Sequence, residues 1–194
     1  MSRPGQPAPV SGSRPPLARA AARRGEVPVG AVLCDPAGRV VAADGNRTRE
    51  VSDPTAHAEI LVIRAACAAL GQERLEGCDL YVTLEPCPMC AGAISHARIR
   101  RLYFAAHDPK GGGVEQGPRV FNQPTCHHAP EVYGGLRESE AAALLREFFH
   151  PLVRLRDKVP GYPVSLIKAG VTMEGIAAGP VRPPLIRPSR WARL

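Results

Sequence analysis

No stretch of this chain approaches the roughly 20 consecutive apolar residues that a membrane-spanning helix requires. The candidates are short pieces such as Ile60–Ile63. The N-terminus, MSRPGQPAPVSGSRPPL, has no apolar segment after its basic start, so no secretory signal is expected. Aromatic residues are sparse, at 5% of 194, and no internal repeat is present. Acidic residues are missing from positions 1–24. Glycine and proline are plentiful, at 19 and 21 residues, and unevenly spread. Hydrophobic residues (44%) and charged residues (22%) sit near globular averages, which excludes a wholly disordered or fibrous chain. These balances favour one soluble, cytoplasmic domain with no membrane attachment. Its expected parts are a disordered leader over 1–16, a folded body over 17–150 and a Pro-rich, basic, irregular tail over 151–194.

The net charge of +7 points at first toward an anionic partner such as nucleic acid. Its placement weakens that argument. Residues 1–24 carry +5 and residues 151–194 carry +6, whereas the body holds 12 basic and 16 acidic residues over 25–150. The basicity sits in the ends.

Six cysteines without a sign of export argue against disulfides, because the compartment is expected to be reducing. Cys34, Cys67 and Cys78 stand in apolar or turn surroundings and read as small packing residues. Cys87 and Cys90 differ: they form a C-x-x-C pair flanked by prolines.

Residues Pro28–Cys34 and Arg39–Ala43 are β-branched runs joined by Asp-Pro-Ala-Gly, a hairpin signal. Leu17–Arg24 suggests one or two helical turns. Between Ala56 and Leu70 the apolar positions follow helical spacing, with Gly71 as a stop. Asp79–Leu84 and Arg101–Ala106 read as strands, with a helix from Pro86 and Pro88 to about Arg98 between them. Residues 107–135 read as a long irregular loop, of the length that usually carries function. Ser139–Phe149 reads as an amphipathic helix, and nothing regular is expected beyond His150. This order implies helices on both faces of a mixed sheet.

Two segments carry chemistry. Thr55-Ala56-His57-Ala58-Glu59 opens one helix and Glu85-Pro86-Cys87-Pro88-Met89-Cys90 opens another. One imidazole and two thiolates make a Cys2His set, the ligand count of a catalytic zinc whose fourth position stays open to water. A helix N-terminus favours the thiolate form, which is the form that binds metal. Glu59, two residues past His57, can approach the site and move a proton without filling that position. A lone histidine at a helix start is usually a cap or a surface residue, and a lone C-x-x-C usually a structural zinc half-site or a redox pair. A structural zinc would want a fourth ligand, and a redox pair a thioredoxin-like context; neither is present. H-x-E followed by P-C-x-x-C is instead the pattern of zinc-dependent base deaminases.

Over roughly Gly25 to Phe149 the chain resembles the bacterial tRNA-specific adenosine deaminases of the cytidine/deoxycytidylate deaminase superfamily. The likeness rests on Glu26–Val32 (EVPVGAV), Asn46, Asp53–Ile60 (DPTAHAEI) and Arg74–Gly77. Leu80–Ile94 (LYVTLEPCPMCAGAI), Ala97–Ile99, Asp108 with Lys110, and Glu140–Phe149 extend it. The resemblance implies a cytidine-deaminase-like three-layer α/β/α sandwich with a mixed five-stranded sheet, and a homodimer. It also implies one Zn2+ per subunit on His57, Cys87 and Cys90, Glu59 as proton shuttle, and the anticodon loop of tRNA as substrate. Asn46 would bond the base, the Ala58 amide would help orient it, and Asp108 would contact the neighbouring nucleotide. From the residues alone, Asn46 and Asp108 are equally well turn residues.

The chain departs from that pattern at three places. The first helix is cut to a short Arg/Ala-rich stretch, the segment after Lys110 is unfamiliar, and a proline-broken tail replaces a basic helix after Phe148-Phe149. Phe148 and Phe149 are expected in the core. Cys126-His127-His128 looks like a second metal motif, but adjacent residues rarely face one centre, and a loop reading is preferred. The alternative substrate is a free nucleobase or nucleoside (guanine, cytosine or adenosine). A bulky aromatic would be expected at Val29 in that case.

Overall fold

The structure, a computed structural model of the chain, describes residues 14–158, and their side chains over 15–150. It divides into two compact units, Met1–Pro151 and Leu152–Leu194, and the first holds everything discussed below except the last turns of one helix.

Strands β1 (Gly30–Cys34) and β2 (Val40–Gly45) form the antiparallel hairpin that the sequence suggests. Its turn is closed by Asp35, whose Oδ1 accepts the amides of Ala37 and Arg39 at 2.9 Å each. Strand β3 (Asp79–Leu84) pairs antiparallel with β1, and β4 (Arg101–Ala106) parallel with β3. β5 (Glu131–Tyr133) adds parallel to β4, giving the order β2-β1-β3-β4-β5. Helix α2 (Ala58–Leu70) joins β2 to β3 and ends on Gly71 in the left-handed region. Helix α3 (Pro88–His96) makes the crossover between β3 and β4.

Side-chain alternation sorts the sheet into two faces. Ala31, Leu33, Leu80, Val82, Leu102 and Phe104 pack against Val62, Ile63 and Ala66 of α2 and Ala91 and Ile94 of α3. On the other face Val32, Cys34, Tyr81 and Tyr103 meet Leu17 of helix α1 (Arg14–Arg23). The start of helix α4 (Glu138–Lys158) lies beside α1, the two lining one groove through Arg19, Ala22, Leu144 and Phe148. This is the expected mixed five-stranded α/β/α sandwich. A strand covered on both faces is apolar without alternation, and β1 is buried throughout.

Four expectations change. β5 lies inside the segment read as irregular. It has no apolar alternation of its own, and its hold on the sheet comes from its neighbour. Tyr133 stacks on Tyr103 at 4.9 Å, Tyr103 stacks on Tyr81 at 4.6 Å, and Arg101 Nε donates to Glu131 at 3.0 Å. α1 begins at Arg14, inside the expected leader, because Pro15 and Pro16 fall in its first turn, where proline is tolerated. α4 continues through Pro151 to Lys158, past the point where proline argues for a stop. Leu152–Lys158 contains strong helix formers. The rest of the leader and of the tail, 1–13 and 159–194, lies outside the described residues. Phe148 and Phe149 are not core: they stack edge to face at 5.1 Å, and Phe149 is exposed.

Candidate active site

α2 and α3 lie on the same face of the sheet and present their N-termini to one point. His57 is the N-cap residue of α2 and Cys87 that of α3, with Pro88 opening the helix. Neither makes a side-chain cap hydrogen bond. His57 Nδ1 lies 3.7 Å from Cys87 Sγ and 3.4 Å from Cys90 Sγ. A tetrahedral zinc with usual Zn–S and Zn–N lengths separates its N and S ligands by about 3.6 Å. The donor set and its spacing therefore fit zinc. These three residues form the one group of three or more ligand-type side chains gathered closely enough for a metal among the described residues.

Electrostatics agree with that use. The Cys87 thiol is held down at about 4, first by the hydrogen bond with Cys90 and then by His57, against the upward push of burial. The Cys90 thiol is pushed up by its bond to Cys87 and by burial. One proton is thus shared between two sulfurs that a divalent ion would deprotonate together. The bond to Cys87 also raises His57. Glu59, in the first turn of α2, is 3% exposed, and burial lifts its carboxyl above the ordinary range. Its Oε2 is the one buried side-chain polar atom among the described residues without a hydrogen-bond partner. A buried oxygen in that condition is costly unless something binds it.

Asn46 and Ala58 come together, but on each other: the Ala58 amide donates to Asn46 Oδ1 at 2.9 Å. With His57 turned toward the sulfurs, Asn46 caps α2 from outside. Asp108 is half-buried, and its Oδ1 accepts the amides of Lys110 and Gly111 at 3.0 Å each. Cys126 meets Ser95 Oγ at 3.4 Å and the His128 carbonyl, while His128 Nε2 bonds Ile99 O at 2.7 Å. These contacts secure the loop, in keeping with the loop reading of this segment.

Two buried glutamates escaped the sequence reading. Glu26 is fully buried and accepts the amides of Arg49 and Glu50 and the Thr48 hydroxyl, fixing the loop that leads to His57. Glu85, two residues before Cys87, does the same for the loop after β4. Its Oε1 accepts the amides of Val114, Glu115 and Gln116, and its Oε2 that of Asp108. The signal for both was a glutamate one or two residues before a proline, next to an apolar run.

His107 ties that loop to α4, its Nε2 2.8 Å from Glu115 and its Nδ1 3.1 Å from Glu138. The Glu138 bond, aided by Glu115, outweighs burial and raises its pKa above the ordinary 6.5. The imidazolium's contribution to stability is therefore full below 6.5 and is lost as pH rises through the folded value. His107→Gln is expected to remove that fall. Melting curves of both proteins across the neutral range check it.

Residues 15–106 match the family described as the cytidine and deoxycytidylate deaminase zinc-binding region. Over 132 residues the chain is 71% identical to the tRNA-specific adenosine deaminase of Agrobacterium fabrum, covering 68% of this chain and 86% of that one. The chain belongs to this deaminase family. The tRNA-specific adenosine deaminase of Bacillus subtilis is 45% identical over 135 residues, covering 70% of this chain and 83% of that relative. Among solved structures, a tRNA:A34 deaminase that edits A to I at the wobble position superposes with a TM-score of 0.67 at 68% identity, covering 69% of this chain and 96% of that one. A guanine deaminase from Nitrosomonas europaea gives a TM-score of 0.63 at 28% identity, covering 74% and 85%. No helix among the described residues of the deaminase is long and apolar enough to cross a membrane.

Proposed function

We propose that the protein hydrolytically deaminates adenosine to inosine at the wobble position of tRNA, acting in the cytoplasm as a homodimer. The observation that carries the chemistry is the convergence of His57, Cys87 and Cys90 beside the buried carboxylate of Glu59, whose Oε2 has no hydrogen-bond partner. A zinc ion held by those three ligands, one per subunit, supplies the Lewis acidity that brings water's pKa down to about 7. Glu59 takes a proton from the attacking water as the C6–O bond forms, and delivers it to the ring nitrogen. A second transfer through Glu59 lets the C6–N bond break, so that adenosine and water become inosine and ammonia. Exclusion of bulk water around Glu59 keeps its proton affinity high enough for both transfers.

Asn46 is assigned to the base and Asp108 to the neighbouring nucleotide. The Ala58 amide reaches a base only by exchanging its bond to Asn46. The RNA substrate is supported by the 71% identity to a tRNA-specific enzyme against 28% to a guanine deaminase. Val29, where a free-base enzyme would be expected to carry a bulky aromatic, supports it too. The test is mass-spectrometric detection of inosine in an anticodon stem-loop carrying a wobble adenosine, with guanine, cytosine and free adenosine in parallel. Inosine in the RNA alone is the expected result. Deamination of a free base with the RNA untouched overturns the substrate assignment and keeps the mechanism.

A further inference from the structure

We propose that Glu85 is a positioning residue that sets the substrate-facing loop against the metal ligand Cys87. Its carboxylate is 2% exposed and receives four backbone amides: Val114 (3.2 Å), Glu115 (2.8 Å) and Gln116 (2.8 Å) on Oε1, and Asp108 (3.0 Å) on Oε2. Three successive amides converging on one oxygen make an anion nest whose anion is this side chain. The backbone of Glu85 is pinned as well, its amide donating to Ala106 O at 2.8 Å. With both oxygens engaged, Glu85 is no proton shuttle. Its effect passes through the loop.

That loop lies directly on the start of α3. The Gly113 amide donates to Pro86 O at 2.8 Å. A Cβ on Gly113 would stand 2.6 Å from Pro88 N and 2.9 Å from the Cys87 carbonyl carbon. A Cβ on Gly112 would stand 2.6 Å from the Glu85 carboxyl carbon. The glycine run at 111–113, unfamiliar as sequence, is what lets the loop close over Glu85 and touch the ligand's own backbone. Asp108 is gripped twice: its amide by Glu85, and its Oδ1 by the amides of Lys110 and Gly111. One side chain, two residues from a metal ligand, therefore fixes the distance between that ligand and the residue assigned to the neighbouring nucleotide. This rests on the deaminase reading above.

Glu85→Gln separates the two halves of the grip. The amide oxygen can stay in the nest at 114–116, but the –NH2 then faces the Asp108 N–H, donor against donor. Amide hydrogen exchange on the full chain is expected to rise over 108–112 and to stay at the wild-type level over 88–96. On the anticodon stem-loop, KM is expected to rise about tenfold, with kcat within about threefold and zinc at one per subunit. Combined with Asp108→Ala, the KM effects should not multiply, since both act through one residue. Wild-type exchange over 108–112, multiplying KM effects, or zinc and kcat falling together at constant KM would each overturn the proposal. If Glu85→Gln does not fold, Glu85→Asp, too short to reach both sets of amides, is judged by the same exchange comparison. Exchange needs no substrate, so it stands even if the wild type proves inactive on RNA. A free base has no neighbouring nucleotide for Asp108 to meet, so the exchange comparison alone then decides.

Discussion

Glu59→Gln is expected to lower kcat on the stem-loop by about 10²- to 10⁴-fold, the range that a positioned acid–base group supplies. Zinc should remain at the wild-type level, because Glu59 stands beside the ligand set and not in it. The replacement nearly conserves shape, so the packing of α2 against the sheet is unchanged. What it removes is a carboxylate that is 3% exposed with Oε2 unpartnered, a group whose ionised form is costly in that setting. The melting temperature should therefore be no lower than that of the wild type. Activity lost together with zinc or with the fold would mean that Glu59 holds the site up. A variant that deaminates within about twofold of the wild type would remove the proton-shuttle mechanism altogether.

The placing of this carboxyl at a helix start also bears on which parts of the molecule could be read from sequence. His57, Glu59, Cys87 and Cys90 were legible because each sits at a helix start, where position in the chain nearly fixes position in space. The hairpin and the two central strands were legible because their periodicity is local, and α2 declared its own end with Gly71. β5 was not, since Glu131–Tyr133 becomes a strand only where Tyr133 can stack on Tyr103 and Arg101 can reach Glu131. The two helix ends were missed for opposite reasons. Pro15 and Pro16 look like a leader until they are placed in a first turn, and Pro151 looks like a stop although the helix runs on.

Glu26 and Glu85 were hidden differently. A charged residue is normally read as surface, yet here each carboxylate is buried because loop backbone supplies the donors that water would have given. No local pattern announces those donors, which lie 23 to 31 residues away in the chain. For Glu85 the matching sequence feature is the glycine run at 111–113, which appears as an irregularity until the side chain it must admit is known. Likewise Asn46 and Ala58 were both picked out for substrate. Their mutual hydrogen bond shows that the vacancy left by an N-cap turned to metal binding has to be filled first.

Removing the metal is expected to be the other large effect. Without it, the protein keeps a thiolate at Cys87, a proton shared with the fully buried Cys90, and a buried carboxyl at Glu59, all within one small volume. A zinc ion discharges that arrangement by pairing both sulfurs and His57 at once. If it binds at about a thousandfold above its dissociation constant, chelation costs about 4 kcal/mol. For a chain of this size that corresponds to a fall in melting temperature of roughly 8–16 °C. Cys90→Ala should reproduce both the loss of zinc and the fall, because Cys90 is 0% exposed and has no neighbouring sulfur or imidazole to replace it among the described residues. Acid should do so reversibly: His57 and the thiolates must be deprotonated to bind, so affinity falls as pH drops and protons displace the ion. Calorimetry on metal-loaded, chelated and Cys90→Ala protein, and on loaded protein taken to acid and back, with zinc counted by elemental analysis, checks all three. Equal melting temperatures before and after complete zinc removal would mean that the two helix starts are held together by the core alone.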